Sequence, residues 1–271
     1  MVRAVLFDMD GLLIDSERIY TDVVNELLKP YGKEQTWDIK ARLMGKPERD
    51  ATLVLLSSLW PPNPDHPQDV ERGFSHECPF TLDDFLQKRN ALLLPAFERV
   101  PPMPGAERLV QHLAQHQIPI CVATGSRRIN YQVKARANPR IFDVFGDRVI
   151  CGDDDIVGRG KPTPDIFLIA AKHGLGIHNT DEGRAFLEGI RNPGAEFDDR
   201  LAGHEGDVLV FEDAVPGVQA GLAAGMKVVW VPDANLRAVT DQGPPVGAHQ
   251  QIGSLLEFRP EEWGLPPFED A

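Results

Sequence analysis

Short apolar runs recur along the chain, each too short for a helix and each ending in a polar or glycine-bearing cluster. They are Val2 to Phe7, Ile118 to Ala123, Arg148 to Cys151, Asp207 to Phe211 and Lys227 to Val231. Such runs, apolar on both faces, are the pattern of strands buried in a parallel sheet. Between them the apolar positions change to steps of three and four. Ile19, Val23 and Leu27 predict a helix from Asp15 to about Lys29, and further helices are expected at Pro47–Leu59 and from Leu82 through Leu94. Others are expected at Ala106–His116, about Arg127–Arg136, Ile166–His173 and Gly217–Ala224. Alternating strands and helices predict an α/β fold, a doubly wound parallel sheet with helices on both faces. A mainly helical unit, residues 15 to about 97, is inserted after the first strand.

Three stretches depart from this rhythm. Residues 60–80 hold Trp60-Pro61-Pro62-Asn63-Pro64 and read as a Pro-rich loop. Residues 176–206 hold seven Asp or Glu and three Arg with little periodicity, and read as an acidic surface insertion. The Pro-rich tail from Leu255 to Phe268 is expected to pack on the surface.

The ends of the strands carry the chemistry. The first delivers Asp8 and Asp10, with Gly11 for the turn; the second delivers Thr124, Gly125 and Ser126. Lys161 follows the third, and Glu212 and Asp213 end the fourth. Taken singly, each has an ordinary explanation: an Asp-rich turn, a helix cap, a solvated lysine. Taken together they stand where open parallel sheets bind ligands, outside the carboxyl ends of the strands. Two neighbouring carboxylates resist joint ionisation unless a cation neutralises them. A carboxylate nucleophile, a second carboxyl for proton transfer, a divalent metal, a Thr hydroxyl and a Lys ammonium make up a phosphoryl-transfer site.

Composition narrows the partners. The chain has 271 residues, enough for one large domain with an insertion or for two modest ones. A formal net charge of −13 disfavours nucleic acid and anionic membrane as partners. No apolar run approaches membrane-spanning length. Three cysteines, Cys78, Cys121 and Cys151, form no Cys-x-x-Cys pair. Cys121 and Cys151 read as buried thiols of a reducing compartment. With a strand beginning at Val2 and no signal peptide visible, a cytoplasmic protein is expected.

Four segments, Asp8-Met9-Asp10-Gly11, Ala123-Thr124-Gly125-Ser126, Gly160-Lys161-Pro162-Thr163-Pro164-Asp165 and Phe211-Glu212-Asp213, resemble in order the four signatures of the haloacid dehalogenase superfamily. The stretches Ile14–Tyr20, Trp37–Lys40, Met103–Glu107, Val231–Leu236 and Phe258–Pro266 resemble its pseudouridine-5′-phosphatase-like branch. The resemblance weakens at residues 60–80 and 176–206. It implies a Rossmann-like core with strand order 5-4-1-2-3, formed by residues 1–14 and 98–271. Residues 15–97 would form the family's helical C1 cap.

The resemblance also assigns roles. Asp8 is the nucleophile and Asp10 the general acid/base; Thr124, Gly125 and Lys161 hold the phosphoryl group. Asp8, Asp10 through its backbone carbonyl, Glu212 and Asp213 hold Mg²⁺. Glu17, Tyr20, Gly45, Lys46 and Arg49 are the cap residues that would face a small phosphorylated metabolite, a sugar phosphate or a nucleoside monophosphate such as pseudouridine 5′-phosphate. Two alternatives share the core: a phosphomutase, and a non-catalytic binder, which retention of Asp8, Asp10 and Lys161 disfavours. Asp10 argues against a dehalogenase. The 176–206 insertion is a candidate docking segment for a protein partner.

Overall fold

The protein is described from a computed structural model, which covers residues 2–43, 46, 48–175, 205–235 and 247–269. Gly45 and nearly all of the acidic insertion lie outside these residues.

The sheet is parallel throughout, in the order β3-β2-β1-β4-β5-β6. Its strands are β1 (Ala4–Phe7), β2 (Ile120–Thr124), β3 (Val149–Cys151), β4 (Val208–Glu212), β5 (Lys227–Trp230) and β6 (Gln250–Gln251). Five of them follow the expected 5-4-1-2-3 order. β6 is a two-residue edge strand, too short and too polar to leave a period in the sequence. Alternation divides the strands between two cores. Val5, Phe7, Val122 and Phe211 join one apolar cluster, while Leu6, Cys121, Ala123 and Val210 join the other. Phe7 stacks on Phe211 at 5.2 Å between ring centroids and meets the edge of Phe145 at 6.1 Å.

The register places the site. Phe7 lies opposite both Val122 and Phe211, so β1 ends beside the ends of β2 and β4. The backbone N–H of Asp8 then donates to Phe211 O at 3.1 Å.

On the sheet's faces lie α6 (Ala106–Gln115), α7 (Arg128–Ala137), α8 (Pro139–Phe142), α9 (Asp165–Ile169) and α10 (Val215–Ala223). The tail does more than cover the surface. Leu255, Phe258, Leu265 and Phe268 are buried in the cluster that holds Phe7, and Phe258 meets Phe211 edge-on at 4.8 Å. Its prolines hid an apolar spacing too irregular to be a helix or a strand. All three cysteines are free and buried. Among the described residues, no helix is long and apolar enough to cross a membrane.

Between β1 and α6 the chain forms α1 (Ser16–Leu28), α2 (Trp37–Leu43), α3 (Glu48–Leu59), α4 (Pro67–Arg72) and α5 (Leu82–Phe97). The Thr81 hydroxyl caps α5 by accepting from Asp84 N at 3.1 Å. These helices share an apolar cluster of their own, including Leu28, Ile39, Leu56 and Phe85. Residues 60–80 are not a plain loop. They contain α4 and send Trp60, Phe74, Cys78 and Phe80 into that cluster. Asp69, fully buried, ties the segment together by accepting from Asn63 N at 2.9 Å, His76 N at 2.7 Å and His76 Nδ1 at 2.8 Å. Burial raises its pKa, but these bonds outweigh burial and hold the carboxylate at about 2.

Candidate active site

The carboxyl ends of β1, β2 and β4 meet the loop before α9. Asp8, Thr124, Glu212 and Asp213 are buried there. Lys161 reaches across from the loop and donates to Asp8 Oδ1 at 2.5 Å, to Glu212 Oε1 at 2.5 Å and to Ala123 O at 3.1 Å. Its ammonium is the cation that allows carboxylates to crowd here. Burial disfavours its charge, yet Asp8 and Glu212 more than compensate and raise its pKa.

Asp8 is unusual in its proton affinity. Burial raises its pKa, Lys161 opposes that rise, and Glu212 and Asp10 add to it, so the carboxyl stands at about 7 against an ordinary 3.8. Asp213 is raised as well, by burial and then by the charges of Glu212 and Asp8. Its backbone is fixed by Trp230 Nε1, which donates to Asp213 O at 2.7 Å.

Asp10 sits in the opposite field. Ser16 Oγ and Lys134 Nζ both donate to its Oδ1 at 2.5 Å, and Ser126 Oγ donates to Oδ2 at 2.6 Å. Thr124 Oγ1 lies 3.4 Å from the same Oδ2 and accepts from Ser126 N at 3.0 Å. Burial pushes Asp10 up, but the charge and hydrogen bond of Lys134 and the serine hydroxyls outweigh it, and its pKa is lowered. Two carboxyls one residue apart are thus driven to opposite protonation behaviour, with Asp8 the more readily protonated in the metal-free site and Asp10 the more readily ionised. Attack by Asp8 and proton donation by Asp10 need the reverse order; a cation bound beside Asp8 and a phosphate group beside Asp10 would each shift the balance that way.

Asp8, Glu212 and Asp213 bring carboxylate oxygens within 4.8 Å of one another. Hard oxygen donors at this spacing suit a divalent cation of the Mg²⁺ type. Glu212 already engages Lys161 through Oε1 and Ala214 N through Oε2 at 3.3 Å. That favours Glu212 as the support, with Asp8 and Asp213 as the side chains that would hold a cation. A second trio, His66, Asp69 and His76, has similar spacing. Its imidazoles stack 4.0 Å apart with planes 14° from parallel, so their ring lone pairs run side by side and do not converge on one ion.

Glycine permits the close approach of Glu212. A Cβ at Gly217, in the first turn of α10, would lie 1.9 Å from the Glu212 carboxyl. Gly217→Ala should push Glu212 off Lys161. The expected result is a kcat reduced by about 10- to 100-fold, the range a misplacement of about 1 Å costs, together with a lower thermal midpoint. Steady-state kinetics and melting curves check both.

Above the carboxylates lies a cavity of about 410 Å³. Asp8, Asp10, Gly125, Lys161 and Asp213 form its floor, and Glu17, Tyr20, Lys40, Lys46, Glu48 and Arg89 line the helical side. Glu17, Tyr20 and Lys46 therefore stand where the sequence placed them. Arg49 does not. It is exposed and pairs with Asp83 of α5, on a different face of α3 from Glu48, Ala51, Thr52 and Leu55, which line the cavity. Arg89 fills the equivalent need, paired with Glu48.

Three cations went unread in the sequence: Lys40, Arg89 and Lys134. Each occupies an inward position of a helix, where the periodic pattern calls for an apolar residue. Arg89 stands four residues from both Phe85 and Leu93, which are buried. Lys134 stands between Tyr131 and Asn138 on one face of α7 and is fully buried. Lys40 is buried against Glu17, at 3.2 Å, and Thr21. A charge breaking an apolar stripe was the available signal.

The chain matches the haloacid dehalogenase-like hydrolases over residues 2–176 and belongs to that family. It is 39% identical over 270 residues to (DL)-glycerol-3-phosphatase 2 of Arabidopsis thaliana, covering all of this chain and 94% of that one. It is 33% identical over 269 residues to a probable pseudouridine-5′-phosphatase of Drosophila melanogaster, covering 99% and 96%. The fold resembles the crystal structure of a HAD family hydrolase from Deinococcus radiodurans with bound phosphate and sodium, with a TM-score of 0.66, 23% identity and 98% of each chain covered. With relatives so named along its whole length, the chain is a phosphoric monoester hydrolase.

Proposed function

We propose that the protein is a Mg²⁺-dependent phosphatase that hydrolyses a small, hydroxyl-bearing phosphate ester through an aspartyl-phosphate. One observation carries this reading: Asp8, Asp10, Lys161 and Asp213 converge on the floor of one cavity that the helical unit partly covers. Asp8 attacks phosphorus with a carboxylate oxygen, and the ester P–O bond breaks. Asp10 gives its proton to the departing alkoxide, then takes one from the water that cleaves the aspartyl-phosphate. Gly125 and Lys161, which line the cavity, hold the phosphoryl oxygens in place, with Lys161 keeping its charge next to the nucleophile; the Thr124 hydroxyl, buried against Asp10 and Ser126 N outside the lining, would have to turn to join them. A divalent cation held by Asp8, Asp213 and the Asp10 carbonyl, when bound, neutralises phosphate charge at this point.

The helices that close the cavity act as the cap that reads the leaving group. Glu17 with Lys40, and Glu48 with Arg89, present paired donors and acceptors suited to hydroxyls. The named relatives make glycerol 3-phosphate and pseudouridine 5′-phosphate the first candidates. The test is phosphate release from a panel of sugar, polyol and nucleoside phosphates, with Mg²⁺ and with chelator. Release that persists undiminished in chelator would reject the metal, and no release from any ester would reject the phosphatase.

The proton affinity of Asp8 makes a second prediction. The folded protein holds this proton up to about pH 7, while an unfolded chain releases it near 3.8. Between those values the folded state binds more protons, so without metal its stability falls as pH rises through that window. Mg²⁺ requires the ionised carboxylate and displaces the proton. The rise in thermal midpoint on adding Mg²⁺ should therefore be larger at pH 8 than at pH 5. A rise that is equal or smaller at pH 8 would show that Asp8 is not the titrating ligand.

A further inference from the structure

We propose that Lys134 is a positioning residue for proton transfer, setting the orientation of the Asp10 carboxyl toward the ester oxygen; this rests on the phosphatase reading above. Lys134 is fully buried in α7 and is not among the residues that line the cavity. Its ammonium donates to Asp10 Oδ1 at 2.5 Å, to Ser126 Oγ at 3.1 Å and to Tyr20 Oη at 3.4 Å. The ring of Phe97 takes a further side, its centroid 4.3 Å from Nζ. Burying an ammonium is costly unless it is fully paired. Asp10 is its one carboxylate partner within salt-bridge distance among the described residues.

The contacts fix Asp10 from both sides. Oδ1 is shared by Lys134 and Ser16, and Oδ2 is held by Ser126, so the carboxyl plane has no free rotation about its bond. Ser126 itself is gripped by Lys134. Tyr20 and Phe97 belong to the first turns of α1 and the last residue of α5, the two helices by which the chain leaves and re-enters the sheet. The same ammonium therefore joins the acid/base residue to both connections of the helical unit.

The step at stake is balanced as follows. Asp8 Oδ forms a bond to phosphorus, and the ester oxygen departs with the electron pair of the P–O bond. It takes a proton from the Asp10 carboxyl, which solvent has protonated before the step and which returns to the carboxylate that Lys134 and the two serines hold at rest. An alkoxide needs that proton, whereas p-nitrophenolate is a stable anion and leaves without it. A lysine that orients Asp10 therefore matters for alkyl esters and hardly at all for the aryl ester.

The experiment compares kcat/KM of the wild type and Lys134→Met with p-nitrophenyl phosphate and with the better alkyl substrate of glycerol 3-phosphate and ribose 5-phosphate. General acid catalysis contributes about 10²- to 10⁴-fold. The expected loss is about 10²-fold on the alkyl ester and less than about 5-fold on the aryl ester. A burst of p-nitrophenolate should appear, because the water step loses its base. In an Asp10→Asn background, Lys134→Met should cost less than about 3-fold on the alkyl ester, since the residue it orients is gone. That double variant removes the buried charges as a pair and so leaves neither unpaired. Lys134→Gln, uncharged and one atom too short to reach Asp10 as Nζ does, takes the place of Lys134→Met should the latter not fold, with the same selective loss expected.

Equal losses on both esters, or the same cost with Asp10 and with Asn at that position, would overturn the proposal and make Lys134 a packing residue. A wild type that releases phosphate from no alkyl ester would instead reject the phosphatase reading itself.

Discussion

Asp8→Asn is expected to lower kcat at least about 10⁴-fold, close to 5.5 kcal/mol of barrier, while the protein stays folded. The argument begins with position. Asp8 ends the central strand, its backbone is fixed to Phe211, and its side chain is buried on the cavity floor. Asparagine fits the same space but has no anionic oxygen to attack phosphorus, so the covalent route is closed. Loss of fold does not follow, because three crowded carboxylates become two and Lys161 retains Glu212. Without metal the variant should melt no lower than the wild type at pH 8, where Asp8 otherwise carries its disfavoured charge. Phosphate release from the best ester, with acid-quenched labelling of the phospho-enzyme, measures the chemistry. Mg²⁺-dependent turnover within about 10-fold of wild type in verified pure Asp8→Asn would remove Asp8 as nucleophile.

The floor of this site was legible because its parts stand at strand ends. Buried strands are short and apolar, so Asp8, Thr124 and Glu212 mark where each one stops, and parallel register brings those ends to one edge. What could not be read was everything fixed by helix orientation. Lys46 and Arg49 are three residues apart, and only the face of α3 on which Arg49 falls separates it, paired with Asp83, from Lys46 at the cavity. Lys134 lies 124 residues from Asp10, and its role depends on the α7 face meeting β1 and β2. Nor did local pattern reveal the tail or residues 60–80. Their buried side chains, Phe258 and Phe74 among them, follow no period, because irregular backbone sets no fixed interval between inward positions.

Lys161→Met is expected to reduce activity about 10³-fold and to destabilise the metal-free protein, and the second effect separates two roles for the lysine. In the resting site its ammonium bridges Asp8 and Glu212 and counters the repulsion among three buried carboxylates. Methionine follows the lysine stem to one atom short of the ammonium, where it can pack against Phe167, but supplies no charge. Removing one partner of a buried ion pair typically costs about 3–5 kcal/mol. Here the site has a second way to relieve the strain. With Lys161 gone, Asp8 should hold its proton to higher pH, so at pH 5 part of the cost disappears and at pH 8 it is felt in full. A divalent cation supplies the missing positive charge, so Mg²⁺ should raise the thermal midpoint of Lys161→Met more than that of the wild type at pH 8. Activity should not recover with it, because a cation held by Asp8 and Asp213 would not replace the hydrogen-bond donor that Lys161 offers the phosphoryl oxygens. Melting curves at pH 5 and pH 8, with and without Mg²⁺, test the first role, and kcat at saturating Mg²⁺ tests the second. Full recovery of turnover by Mg²⁺ would mean that Lys161 only balances charge. A midpoint unchanged from wild type at pH 8 would mean that it does not balance charge at all.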